Sequence, residues 1–351
     1  MEIKNIFWNA NQERLRAGWR IVVQLILMTV FLAIFQAVKN LAIRYLMNPE
    51  PELAGVEVAN FLTQVGSNLV IVAAVFISVK FLDRRRISSL GLNIDKKWWA
   101  DLGFGLFVGG SVMGLIFVSE WAFGWLQITG TFSVPEGGIP FLPGIFIPLF
   151  GYAAVGLAEE IWIRGYVMTN LTEGMRNIRR NPAWSLAVAS ILQALFFGLL
   201  HAGNRHASIL STVNISLAAL TFALGYLLTG QLAIPIGFHI AWNFFQGNVF
   251  GFPVSGTGSQ VAQIFSIQQS GPTLWIGGDF GPEAGLLGTI GLMISCAAFI
   301  LWNKFQYHQV ERDRRISEFL SPLRNNGKNA ENMVCVGPGQ AYEVEENSTH
   351  K

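Results

Sequence analysis

Charge is scarce in this chain. Only 13% of its 351 residues are Asp, Glu, Lys or Arg, against 52% hydrophobic ones. A soluble globular protein carries roughly twice that charged share, so the shortage points to a polytopic membrane protein. Cysteine is nearly absent: Cys296 sits in an apolar run and Cys335 in a polar stretch, and no disulfide framework is implied. The formal net charge is only +2, and nothing suggests a nucleic-acid footprint. Asn5, Asn9, Asn11, Gln12 and Glu13 make the start polar. A short apolar core with a small-residue cleavage site is missing there, so no cleaved signal peptide is expected. Also missing is the His-Glu-x-x-His pair of the common zinc proteases.

What is present is a series of long apolar runs. A helix needs about 20 mostly apolar residues to cross the hydrocarbon core, and that ruler gives eight expected spans. They are 18–38, 58–82, 99–127, 141–170, 183–203, 208–229, 232–250 and 285–303. The expected fold is an all-α polytopic membrane protein of about eight transmembrane helices around an intramembrane catalytic cavity. Basic residues test the count. Lys4, Arg14, Arg16 and Arg20 precede span one. Arg84, Arg85, Arg86, Lys96 and Lys97 lie between spans two and three, and Arg176, Arg179 and Arg180 between four and five. Lys304, Arg312, Arg314, Arg315 and Arg324 follow span eight, while the opposite side keeps only Lys39, Arg44 and Arg205. Eight spans with both termini cytoplasmic obey the positive-inside rule throughout. The chain divides into a cytoplasmic segment 1–17, a transmembrane domain 18–303 and a tail 304–351. The tail reads as a short basic stretch, 304–321, and then a polar disordered end. The Gly-rich loop 251–284 lacks Lys and Arg. Its length and its aromatics, Phe252, Phe265, Trp275 and Phe280, predict a folded lid on the outer side.

Ionisable residues inside an apolar span are costly and mark function. Span four holds Glu159, Glu160 and Arg164. Glu160 and Arg164 are four apart and share a helical face, while Glu159 points about 100° away. One carboxylate is thus available for structure and the other for chemistry. Phe197 and His201 in span five, and His239 and Asn243 in span seven, repeat the four-residue spacing. Histidine is the usual general acid or base and a common metal ligand, and an asparagine amide suits an oxyanion. Spacing alone does not separate an enzyme from a transporter with a buried ion relay.

Depth raises a difficulty. At 1.5 Å per residue, the expected spans put His239 about 12 Å, Glu159 about 17 Å and His201 about 27 Å from the cytoplasmic edge. The three meet only if span five starts below that edge, or if spans tilt or break, as His201-Ala202-Gly203-Asn204 suggests.

Three motifs in order, Glu159-Glu160…Arg164, Phe197…His201 and His239…Asn243, resemble the CPBP family of intramembrane proteases (CAAX prenyl protease 2-like, also called the Abi family). Ile163-Arg164-Gly165-Tyr166, Ser255-Gly256 and the run from Trp275 to Gly281 are similar to bacterial members. The resemblance covers roughly residues 80–303. It implies hydrolysis of peptide bonds within the membrane, with Glu159 as general base on a water and His201 helping to hold it. His239 and Asn243 would bind the oxyanion, and Glu160, Arg164 and Phe197 would order the site. Family members have also been described as metalloproteases, which would make Glu159, His201 and His239 zinc ligands. Asn is a poor zinc ligand, so a glutamate-activated water without a cofactor is the favoured reading.

The expected partners are the lipid bilayer and a peptide or membrane-protein substrate, prenylated or an unmodified leader peptide, with the site near the cytoplasmic side of a bacterial inner membrane. Two other classes compete. A non-catalytic scaffold or immunity protein would keep the fold and bind a partner. A transporter would show inverted repeats and broken helices; no internal symmetry is evident, although Pro235-Ile236-Gly237 is placed to kink span seven.

Overall fold

A computed structural model describes residues 4–10, 12–46, 52–179, 181–258 and 261–307. The apolar runs form helices close to their expected places. They are α1 (Ala17–Leu46), α2 (Leu53–Phe81), α3 (Lys96–Ala122), α4, α5 (Pro182–His201), α6 (Ile209–Thr229), α7 and α8 (Leu286–Tyr307). Helix α4 runs as an α-helix over Phe141–Glu160, widens to a π-helix over Ile161–Met168 and returns to α over Thr169–Ile178. Helix α7 is Ala233–Phe244 with a π-helical end, Phe245–Val249.

Seven of these helices are long and apolar enough to cross a membrane, and the protein is an integral membrane protein of mainly helical fold. The expected eighth span is the exception: α7 has only 12 α-helical and 5 π-helical residues. Its surface is buried almost throughout. It lies among the other helices rather than against lipid, which removes the need for a full apolar length. Pro235 stands in its first turn, where a missing N–H costs nothing, so Pro235-Ile236-Gly237 starts the helix and does not kink it.

Helix α4 is longer than its apolar run. The expected end at 170 moves to Ile178, through a polar α-helical extension, Thr-Asn-Leu-Thr-Glu-Gly-Met-Arg-Asn-Ile. That extension is held by the N-terminal segment, which is folded: Trp8–Asn9 (β1) pairs antiparallel with Arg14–Leu15 (β2). Arg20 joins Asp83 at 2.8 Å and Glu173 at 2.5 Å, and Arg14 reaches Glu173 at 3.1 Å. Asp83 is also paired with Arg85 and accepts from Asn170. All these side chains are buried or nearly so. Burial alone would push the Asp83 carboxyl up; Arg85 and Arg20, with hydrogen bonds from Arg85 and Asn170, outweigh it and hold the group below the usual aspartate range.

The opposite end of the bundle carries the sheet. Span three was expected to reach 127, but α3 stops at Ala122 and a strand, β3 (Leu126–Ser133), follows. It pairs antiparallel with β4 (Gln263–Gln269), Leu126 opposite Gln269 and Ser133 opposite Gln263. The 251–284 loop is therefore folded, as its aromatics implied. Phe252 and Phe280 are fully buried, and Phe117 stacks on Phe250 with ring centroids 4.7 Å apart. Of the basic stretch 304–321, residues 304–307 complete α8 and the rest lies outside the described residues.

Helices α3 and α7 approach closely because glycine faces backbone on both sides. A side chain on Gly105 would collide with the Ile234 carbonyl, and one on Gly237 with the Leu102 carbonyl. Small residues at such contacts are the usual means of close helix packing in membranes.

The Asp83 cluster yields a pH prediction. A carboxyl held low in the folded state stabilises above its ordinary pKa of about 3.9, and that contribution vanishes as pH falls through the depressed value. Asp83→Asn should lower the thermal midpoint in detergent at neutral pH, since a broken buried pair costs about 3–5 kcal/mol. It should also flatten the acid limb of the stability curve. An unchanged acid limb would remove Asp83 as its source.

Candidate active site

Glu159 and Glu160 close the α-helical part of α4, and the turn that follows is π-wound. Single π segments cluster at functional sites because the wider turn re-aims side chains. The two carboxylates part as the helical angle requires. Glu160 is fully buried, and its Oε1 accepts from Arg164 Nη1 at 3.0 Å and from His239 Nδ1 at 2.9 Å. The side chain of Glu159 keeps 25% exposure and faces a cavity.

Arg164 is also fully buried. Its guanidinium lies 4.5 Å from the Phe197 ring centre and 4.8 Å from that of Phe222. Two aromatic faces and one carboxylate thus replace the water that this cation would otherwise hold. Phe222 stacks in turn on the His239 imidazole, with centroids 4.9 Å apart and planes 14° apart.

The Nδ1–H of His239 points at Glu160, which leaves Nε2 facing Glu159 Oε2 at 3.9 Å. Asn243, one turn further along α7, is also mostly buried and lines the cavity. Here too a π segment, Phe245–Val249, follows directly.

His201 ends α5. Its Nδ1–H donates to the Phe197 carbonyl at 2.8 Å, and the two rings lie 4.6 Å apart. Nε2 is then the ring's free acceptor. Phe197 therefore has two tasks, fixing the His201 tautomer through its carbonyl and covering Arg164 with its ring. Only the positioning task was expected.

The depth difficulty disappears with the longer α4. Glu159 lies 19 residues before Ile178, and His201 lies 19 residues after Pro182. At 1.5 Å per α-helical residue the α5 limb is about 28 Å long and the α4 limb, with its eight π-wound residues, a few ångströms shorter, so the two limbs of this hairpin return to similar heights. The turn is set by Asn181, whose side chain accepts from Trp184 N at 3.0 Å, with Pro182 in the first turn of α5. His239 rises from a start already deep in the bundle: Leu232 packs against Gly165, thirteen residues short of the α4 end.

Glu159, His201, His239 and Asn243 line a single cavity of about 430 Å³. Its apolar wall includes Ile215, Phe222, Phe238 and Leu292, and its polar wall adds Tyr152, Asn214, Ser255 and Glu283. Nothing in the sequence pattern singled out Glu283. It comes from the loop before α8, and accepts from Ser255 N at 2.6 Å and Ser255 Oγ at 3.1 Å. Burial pushes its carboxyl above the usual range, against hydrogen bonds from Ser255 and Gln246. The available signal was a carboxylate in a long loop without one Lys or Arg. The cavity meets the 202–208 turn and the 251–284 loop. The cavity thus lies at the end of the bundle away from the basic 82–97 and 179–181 connections, because α5 reaches His201 only at its far terminus.

The donor set does not suit zinc. Among the described residues no three His, Cys, Asp or Glu side chains are grouped to hold a metal ion. The carboxylate nearest His239, Glu160, is already engaged by Arg164. As arranged, these residues do not fit the ion.

Residues 141–245 match the family model described as type II CAAX prenyl endopeptidase Rce1-like. No curated protein and no solved structure matches the chain. The matched segment is narrower than the motif resemblance, yet it contains all seven motif residues from Glu159 to Asn243. It agrees with a CPBP-family intramembrane protease, and supports an intramembrane CAAX-type endopeptidase in general.

Glu160→Gln should reduce yield and thermal stability, because Arg164 stays buried without its carboxylate, a loss of about 3–5 kcal/mol. The double variant Glu160→Gln/Arg164→Met should recover part of that midpoint. A single variant as stable as wild type would show that the pair contributes nothing to the fold.

Proposed function

From the Rce1-like match over α4 to α7, we propose that this protein is an intramembrane endopeptidase. It hydrolyses peptide bonds of membrane-associated or leader peptides with a water activated by Glu159. One observation carries the reading: of two adjacent carboxylates, Glu160 is taken up by Arg164 and His239, while Glu159 faces the cavity beside two imidazoles.

In the proposed reaction, Glu159 accepts a proton from water as the oxygen attacks the substrate carbonyl carbon. His201, with Nδ1–H tied to Phe197, offers Nε2 as an acceptor that orients that water. The carbonyl oxygen becomes an oxyanion, for which the Asn243 amide is a donor of the right kind. His239 joins it when protonated, since Nδ1–H then remains on Glu160 and Nε2–H is free to donate. This makes Glu160 the orienter of His239, as a buried carboxylate orients the histidine of a catalytic triad. Collapse of the intermediate breaks the C–N bond, and Glu159 returns its proton to the leaving amine.

The test is cleavage of a quenched fluorescent peptide library by the purified protein in detergent. Glu159→Gln should abolish cleavage with an unchanged thermal midpoint, and His201→Ala should reduce it about 10²–10⁴-fold, the usual contribution of general acid–base catalysis. A strong zinc chelator should leave wild-type activity intact. A fully active Glu159→Gln would sink the mechanism. Chelator-sensitive cleavage restored by zinc would assign Glu159, His201 and His239 as ligands instead.

A further inference from the structure

The cavity is open at one end and sealed at the other. Its seal is the Glu160–Arg164 pair with Phe197 and Phe222, backed by Ile161–Met168, every residue of which is buried. Its rim is formed by Asn204, Arg205, Val254, Ser255 and Thr257. These belong to two loops that are bonded together. Asn204 Nδ2 donates to the Ser255 carbonyl at 3.1 Å, and Ser255 is in turn fixed to Glu283. Gly256 takes φ +84°, which a side chain would oppose, and its N–H donates to the Phe280 carbonyl at 2.9 Å. The mouth is thus a built rim and not a gap between slack loops.

Charge fixes which side this rim faces. Arg84, Arg85, Arg86, Lys96, Lys97, Arg176 and Arg179 all lie at the sealed end, and the rim end keeps Lys39, Arg44 and Arg205. Short loops rich in Lys and Arg remain cytoplasmic. We propose that the cavity is loaded from the non-cytoplasmic side, by an unwound polypeptide segment already exposed there. The rim's amide, hydroxyls and guanidinium suit the peptide groups of an extended chain, and the apolar wall below them accepts side chains. A cavity of about 430 Å³ admits only a short stretch at once. Water reaches Glu159 through the same mouth. The choice of substrate rests on the endopeptidase reading; the direction of access does not.

The experiment uses the full chain with Cys296→Ala and Cys335→Ser, in spheroplasts of a bacterial host. Thr257→Cys and Arg205→Cys report on the rim, and Lys96→Cys on the sealed end; none belongs to the catalytic set. A membrane-impermeant maleimide should label both rim variants in intact spheroplasts, and Lys96→Cys only after permeabilisation, with a cytosolic thiol protein as the integrity control. Rim labelling that requires permeabilisation would overturn the proposal. A water-soluble peptide cleaved in detergent should then be cleaved by right-side-out vesicles and spared by inverted ones; the reverse would also overturn it. Absence of cleavage in detergent counts against the endopeptidase reading alone, and the labelling pattern still decides the direction of access.

Discussion

The arrangement depends on one buried oxygen. Glu160 Oε1 accepts from Arg164 on its own helix and from His239 on α7, and through these bonds it ties together four helices. Arg164 brings in Phe197 of α5 and Phe222 of α6, and Phe222 packs on His239. A lone carboxylate in this place would carry a desolvation cost of several kcal/mol. The guanidinium offsets that charge, and the aromatic faces let the guanidinium itself stay dry. Removing any member leaves another without its reason to be buried.

The same bond divides the labour between neighbouring glutamates. Successive residues on a helix face directions about 100° apart, so a carboxylate pinned at 160 forces its neighbour at 159 toward the cavity. The proposed reaction needs a free carboxylate close to an oriented imidazole, and the bond from His239 to Glu160 fixes that orientation from behind. Both helices that carry these groups change to π winding just past them, where a regular α-helix would have continued the side-chain rows unchanged.

Much of this was legible from residue spacing. The helix positions and the Glu160–Arg164 pair follow from apolar length and the four-residue period, whereas the grouping of Glu159, His201, His239 and Asn243 across three helices rested on residue type and motif resemblance. The extension of α4 to Ile178 was hidden because its residues are polar: hydropathy marks where lipid ends, not where a helix does. Strand β3 was hidden inside the apolar run that also makes α3. The bond from Glu160 to His239 joins residues 79 apart, and no local period reports on it. Glu283 was missed for a similar reason, since it reaches the cavity through loop folding. The short α7 read as an ordinary span because burial in protein and burial in lipid select the same apolar residues.

The hairpin of α4 and α5 behaves as a caliper. Its two jaws, Glu159 and His201, stand the same number of residues from the ends of the two helices that meet near Asn181. Residues in the polar extension do not line the cavity, yet their number sets the gap between the jaws. A residue lost from one limb alone would offset the jaws by about 1.5 Å and rotate one of them by about 100°. Lengths of the two limbs are therefore free to change only together, and the connecting turn at one end of the bundle keeps the measure for a cavity near the other.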